Sequence, residues 1–200
     1  MKLHSEELKV IMKTFKSKLL SFVAALAFVA GAAFIAPTNT YAQALDQTQL
    51  GKRVRHELVT LPYYGVFDNL AYQVNGNTVT LYGQVVRPTT RSDAEARVAH
   101  LPGVTRVINR IEVLPLSSFD DQIRAQAYRR IFNTGSLYRY AMGGNPSLHI
   151  IVNNGHLTLE GVVANEMDKR LAYIAARQVP GAFTVTNNLR TDRDESRSVR

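Results

Sequence analysis

The apolar positions change period twice, and then do so again in the same order. Leu50, Val54, Leu58 and Leu61 recur at helical spacing, with Lys52, Arg53 and His56 on other faces, and Pro62 closes that run. Val66, Leu70, Tyr72 and Val74 then alternate with polar residues, Asn75-Gly76-Asn77 supplies a turn, and Val79, Leu81, Gly83 and Val85 alternate again. That pattern predicts a β-hairpin. Gly83 falls on the apolar face where a side chain is expected, which reads as the close approach of a helix to the sheet. Pro88 to Asp93 opens a second helix with capping residues, Ala94, Val98 and Leu101 form its buried stripe, and Pro102-Gly103 stops it. A third strand follows with Val107, Ile111 and Val113 inward.

The same order returns further along. Aligning residues 74–111 on 152–189 needs no gap and gives 11 identities in 38 positions. Gly83 recurs as Gly161, Pro102 and Gly103 as Pro180 and Gly181, and Asn109 as Asn187. Ile123, Ala127 and Ile131 mark the first helix of the second copy, and Asn153-Asn154-Gly155 its hairpin turn. A strand-helix-strand crossover is right-handed in nearly all sheets, so the third strand lies parallel to the second. The expected fold class is therefore α+β: two tandem αββαβ domains, each a three-stranded mixed sheet with two helices on one face. The shared residues read as requirements of the fold. Asn109 and Asn187 sit within an apolar strand, where an unpaired amide is costly, and each is expected to tie down a nearby backbone turn.

Residues ahead of the repeats follow a different logic. Lys13, Lys16 and Lys18 precede an uncharged run from Leu19 to Ala36, then Pro37 and the small-residue stretch Tyr41-Ala42-Gln43-Ala44. This is the order of a secretory signal peptide, with Met12 a plausible start and cleavage after Ala44 or Ala42. The alternative is an uncleaved inner-membrane anchor. The expected organisation is a signal peptide over 1–44, domains over 45–115 and 116–190, and a disordered charged tail over 191–200.

Composition narrows the chemistry. The absence of cysteine excludes disulfides, thiol catalysis and Cys-based metal sites. The net charge is +8, and after Gln43 seventeen of the nineteen basic residues are Arg, whose planar fork suits carboxylate and phosphate. No nucleophile triad, paired carboxylate motif, phosphate loop or dinucleotide fingerprint occurs, so no enzyme and no cofactor is expected. Export and the lack of a clustered basic stripe argue against nucleic acid. His149 and His156 lack a third ligand at a recognisable spacing, so no metal is expected; they read as exposed strand residues whose parities point them apart.

The apolar-x-Gly strand, the helix after it and the Pro-Gly ending with Val-x-Asn make each copy resemble a BON domain, over about residues 45–190. Two in tandem behind a signal peptide resemble osmotically inducible periplasmic proteins and dual-BON envelope lipoproteins. That resemblance implies a periplasmic location, binding to phospholipid or envelope components, and a part in envelope integrity under stress, without catalysis. In the lipoprotein group it further implies lipid contact by the first helix of the second domain. This chain lacks the lipid-bearing Cys and so stands nearer the soluble osmotic-stress branch.

Differences between the copies point to the binding element. The first helix of copy two leads into Gly135-Ser136-Leu137-Tyr138-Arg139-Tyr140-Ala141-Met142, where copy one has the shorter Leu61-Pro62-Tyr63-Tyr64-Gly65. Arg with Tyr, Leu and Met suits a membrane interface. Arg129, Arg130, Tyr138, Arg139 and Tyr140 are the candidate contacts to an anionic phospholipid surface. The competing expectation is a protein-binding or chaperone-like module that recruits envelope proteins through an open sheet face or strand edge.

Overall fold

In the computed structural model, backbone is described for residues 39–192 and side chains for 47–192. The elements run α1 (Asn39–Val59), β1 (Asn69–Asn75), β2 (Thr78–Val85), α2 (Pro88–Ala99) and β3 (Arg106–Val113) in copy one. Copy two has α3 (Ser118–Phe132), a 3-10 turn (Leu137–Tyr140), β4 (Leu148–Asn153), β5 (His156–Val163), α4 (Glu166–Arg177), β6 (Thr184–Asn187) and β7 (Arg190–Thr191). Residues 1–38 of the predicted signal segment and the last eight residues lie outside the described residues, while residues 39–44 of that segment form the first turns of α1.

In each copy the middle strand pairs antiparallel with the first and parallel with the third. The predicted stripe Leu50, Val54, Leu58 and Leu61 is buried against Val79, Leu81, Val85, Ala94, Val98 and Ile111. Ile123, Ala127 and Ile131 meet Ile150, Leu157, Leu159, Ala172 and Ala176 in the second core. In copy two the third strand is interrupted at Asn188-Leu189, and β7 resumes the parallel pairing with Val162 and Val163. Thr191 is buried there, so ordered structure runs into the segment expected to be tail.

The proline and glycine pairs stand where the helices stop. Helix α2 ends at Ala99 and α4 at Arg177, and Pro102 and Pro180 follow in exposed turns, past the last helical residue in each copy. A proline cannot continue the helix, and the glycine after it takes the left-handed backbone that reverses the chain, with φ of +97° at Gly103 and +85° at Gly181. Leu101, expected at the end of the α2 stripe, therefore lies just beyond the helix and packs on the first core from the turn.

Two other shared signatures have causes different from those expected. Gly83 and Gly161 have φ of +114° and +111°, and a Cβ on either would collide with the backbone carbonyl of Asn69 or Ser147. The partner in close approach is thus the neighbouring strand, not a helix. The two asparagines clamp a helix to a strand rather than holding a turn. Asn109 Nδ2 donates to the Arg91 carbonyl at 3.1 Å and its Oδ1 accepts from Ile111 N–H; Asn187 makes the equivalent pair with Lys169 O, at 3.2 Å, and Leu189 N–H.

The residues between α1 and β1 do not simply extend the hairpin. Val66, expected to begin the first strand, accepts through its carbonyl from Ile150 N–H on edge strand β4 at 2.7 Å. Phe67 packs on Tyr128 of α3, ring centres 6.2 Å apart, and both Val66 and Phe67 join the second core. From the other side Arg124, buried on α3, donates to Val152 O at 2.6 Å. An exposed edge strand invites foreign pairing, and here copy one and α3 occupy that edge.

Gly83→Ala or Gly161→Ala is expected to lower unfolding free energy by about 2–4 kcal/mol, because the substitution adds both backbone strain and a steric collision. Urea denaturation followed by circular dichroism measures this; an unchanged midpoint in both variants would contradict the close-approach account.

Candidate functional site

The five candidate residues separate into two groups. Arg139 and Tyr140 are tied into the fold, Tyr140 buried and Arg139 still exposed. The Tyr140 hydroxyl is buried, donates to Asp168 Oδ2 at 2.5 Å and accepts from Ala164 N–H at 3.0 Å. The Arg139 guanidinium lies against the same carboxylate and the Tyr140 oxygen. Asn165 caps α4 by accepting from Asp168 N–H at 2.9 Å, and its Nδ2 donates to Asp168 Oδ2. Burial and the bond to Asp168 raise the Tyr140 phenol above its usual range, so it stays neutral. Copy one solves the same local problem differently. The amide of Val86, which corresponds to Ala164, donates to Asp68 Oδ1 at 2.8 Å.

Arg129, Arg130 and Tyr138 remain exposed. Arg129 and Arg130 line a shallow groove of about 470 Å³ between α3 and α4, together with Gln126, Asn133, Thr134, Ala175 and Gln178. Among the described residues neither guanidinium has an ion pair or hydrogen bond. The groove continues onto a face that the sequence pattern did not single out. Met167, Arg170, Ile174 and Arg177 follow one another at helical spacing along α4, all exposed, Met167 at 62 % and Ile174 at 54 %. Arg177 also lies over the Tyr173 ring at 5.9 Å. At the far end of α3, Phe119 stacks on Phe183, centroids 5.7 Å apart, and both rings face solvent.

A signal for this face was available. Residues 78 positions earlier in copy one are Thr89, Ser92, Ala96 and Ala99, small and uncharged where copy two has Met, Arg, Ile and Arg. Comparing only the segments of unequal length passes over this difference.

The two histidines depart from expectation. Register sets His149 opposite Glu160 and Asn153 opposite His156, so the tight turn places both imidazoles on the same sheet face, four residues apart along it. His149 is buried at 6 % exposure under copy one, with Nδ1 at 3.2 Å from Gly65 O and Nε2 at 3.4 Å from the Tyr64 hydroxyl. Burial lowers its pKa below 6.5 against weaker opposing backbone bonds, and burial pushes Tyr64 up to about 12. Among the described residues no cluster of three potential ligands could hold a metal ion.

Taken together, the topology defines a duplicated αββαβ module with one enriched, cation-bearing helical face. The BON domain model matches twice, over residues 46–115 and 119–193, and the chain belongs to the BON-domain family. No curated protein matches it in sequence. Among solved structures it is similar to the C-terminal domain of CdsD, a structural protein of the type III secretion system of Chlamydia trachomatis. That match is 13 % identical, covers 76 % of this chain and 69 % of that one, and has a TM-score of 0.30. A second CdsD structure is 12 % identical over 76 % and 97 % of the two chains, with a TM-score of 0.29.

Tyr140→Phe is expected to cost about 1–3 kcal/mol, since it orphans the Ala164 amide and removes a bond from Asp168; chemical denaturation reads this directly. For His149 the sign follows from its depressed pKa. The unfolded chain takes up a proton as pH falls below about 6.5 while the folded one resists, so stability is full above that pH and declines beneath it. Asp68, whose pKa burial raises above 3.8, acts in the opposite sense. The difference in unfolding free energy between wild type and His149→Gln should therefore shrink from pH 7 to pH 5, and a constant difference would contradict burial of the neutral ring.

Proposed function

We propose that the protein is a non-enzymatic, periplasmic envelope protein that binds anionic phospholipid surfaces peripherally, supporting envelope integrity under osmotic or other stress. The observation that carries this reading is the outer face of α3 and α4, where Arg129, Arg130 and Arg170 stand unpaired among the described residues beside Ile174 and Met167. Guanidinium groups meet lipid phosphate, and the flanking aliphatic side chains enter the acyl boundary. Tyr138 and Met142, at 57 % and 65 % exposure after α3, extend the same chemistry. Phe119 and Phe183 supply an apolar end to it. Arg139 and Tyr140 serve by fixing the loop that carries Tyr138.

Among the described residues no helix is long and apolar enough to cross a membrane. Each basic group near an anionic surface contributes about 1 kcal/mol, so a few give reversible, salt-sensitive binding. The competing protein-binding reading would use an edge other than β4, which Val66 and Arg124 already occupy, or an open sheet face.

Flotation with vesicles of phosphatidylglycerol and phosphatidylethanolamine tests the proposal. Recovery with anionic vesicles should exceed that with phosphatidylcholine and fall as salt rises. Arg129→Ala with Arg130→Ala should weaken binding by roughly 10–30-fold, from about 1 kcal/mol for each charge. Equal, negligible recovery in both vesicle types would reject the lipid reading.

A further inference from the structure

A second cleft lies on another part of the molecule, between the two copies. It encloses about 620 Å³, within the usual range for small-molecule sites, and α1, β1 and the start of β4 contribute its walls. Arg55 on α1, Asn69 on β1, and Asn145 and Ser147 before β4 line it with polar side chains that have no partner among the described residues, and Arg190 and Asp192 at the β7 end add an arginine already engaged elsewhere and a carboxylate. Tyr64 and Tyr72 form its aromatic surfaces, and the Tyr64–His149 contact, centroids 5.5 Å apart, lies at the seam.

This combination selects among ligand chemistries. An acyl chain needs a closed apolar hole, whereas this cleft is open and mixes amides and hydroxyls with its apolar surface. A nucleotide would call for a nest of backbone amides around its phosphates, and the cleft offers one unpaired guanidinium. Amides and a hydroxyl beside aromatic rings fit a polyhydroxylated ring system, whose C–H faces rest on tyrosine and whose hydroxyls exchange hydrogen bonds with Asn and Ser. Arg55 adds a partner for one carboxylate, and Asp192 an acceptor for further hydroxyls. We propose that the cleft between the two modules binds a short acidic glycan of two or three rings, with Arg55 holding its carboxylate and Asn69, Asn145 and Ser147 its hydroxyl or acetamido groups. The site is separate from the lipid-facing surface of α3 and α4 and does not depend on it.

Isothermal titration of the full chain with two probes decides the matter: the disaccharide of N-acetylglucosamine and N-acetylmuramic acid, which carries a carboxylate, and neutral N,N′-diacetylchitobiose. The acidic disaccharide should bind saturably and at least tenfold more tightly than the neutral one. Arg55→Ala should abolish that preference, and Asn145→Ala should weaken both probes, with melting temperatures of the two variants unchanged because both side chains are exposed. Vesicle flotation of Arg55→Ala should match wild type, so failure here and failure of the lipid reading remain distinguishable. Absence of saturable heat with either probe up to millimolar concentration overturns the proposal. So does equal affinity for the two probes that Arg55→Ala leaves unchanged.

Discussion

The closed edge of β4 is the contact on which the arrangement of the two copies depends. A three-stranded sheet with helices on one face leaves its first strand with unpaired backbone groups. In copy two these are met from both sides, by the Val66 carbonyl on Ile150 N–H and by the Arg124 guanidinium on Val152 O. Satisfying that edge brings Tyr64, Gly65 and Phe67 over the second module, buries His149 and makes a cleft where the modules diverge. Small modules have marginal cores, and here each draws on its neighbour for part of its burial.

Much of this order is legible from periodicity. The helical stripe from Leu50 to Leu61, the alternation around both hairpins and the helix stops before Pro102 and Pro180 all report local geometry, which sequence encodes directly. What escapes is decided by residues distant in the chain. Val66 continues the alternation of β1 in sequence, yet its carbonyl belongs to β4, because that edge would otherwise remain unpaired. His149 looks like a solvent-facing strand residue until the other copy is laid on it. Gly83 does mark a close approach, but which neighbour approaches depends on strand pairing rather than on its own surroundings in sequence.

The candidate site was half legible for a related reason. Arg and Tyr in a longer loop look alike whether they face lipid or fasten the loop. Only the position of Asp168, 29 residues beyond Arg139, distinguishes them. The α4 face carries no unusual motif. Its Met, Arg, Ile and Arg gain meaning from Thr89, Ser92, Ala96 and Ala99 at the matching positions, where the same fold is built without them. Duplication thus separates what the fold demands from what one copy has added.

The exchange of partners at one backbone amide has a wider consequence. Val86 N–H is held by a carboxylate that precedes β1, and Ala164 N–H by a phenol carried on the inserted loop before β4. Pro146 stands where Asp68 would be needed. The longer loop of copy two brings its own oxygen to that amide, and with it a dependence on Asp168. The halves are therefore no longer interchangeable parts. The copy-two loop grafted into copy one would bring its phenol to Val86 N–H but meet Thr90 where Asp168 stands, so the duplication, though still visible in the strands, no longer extends to the loops.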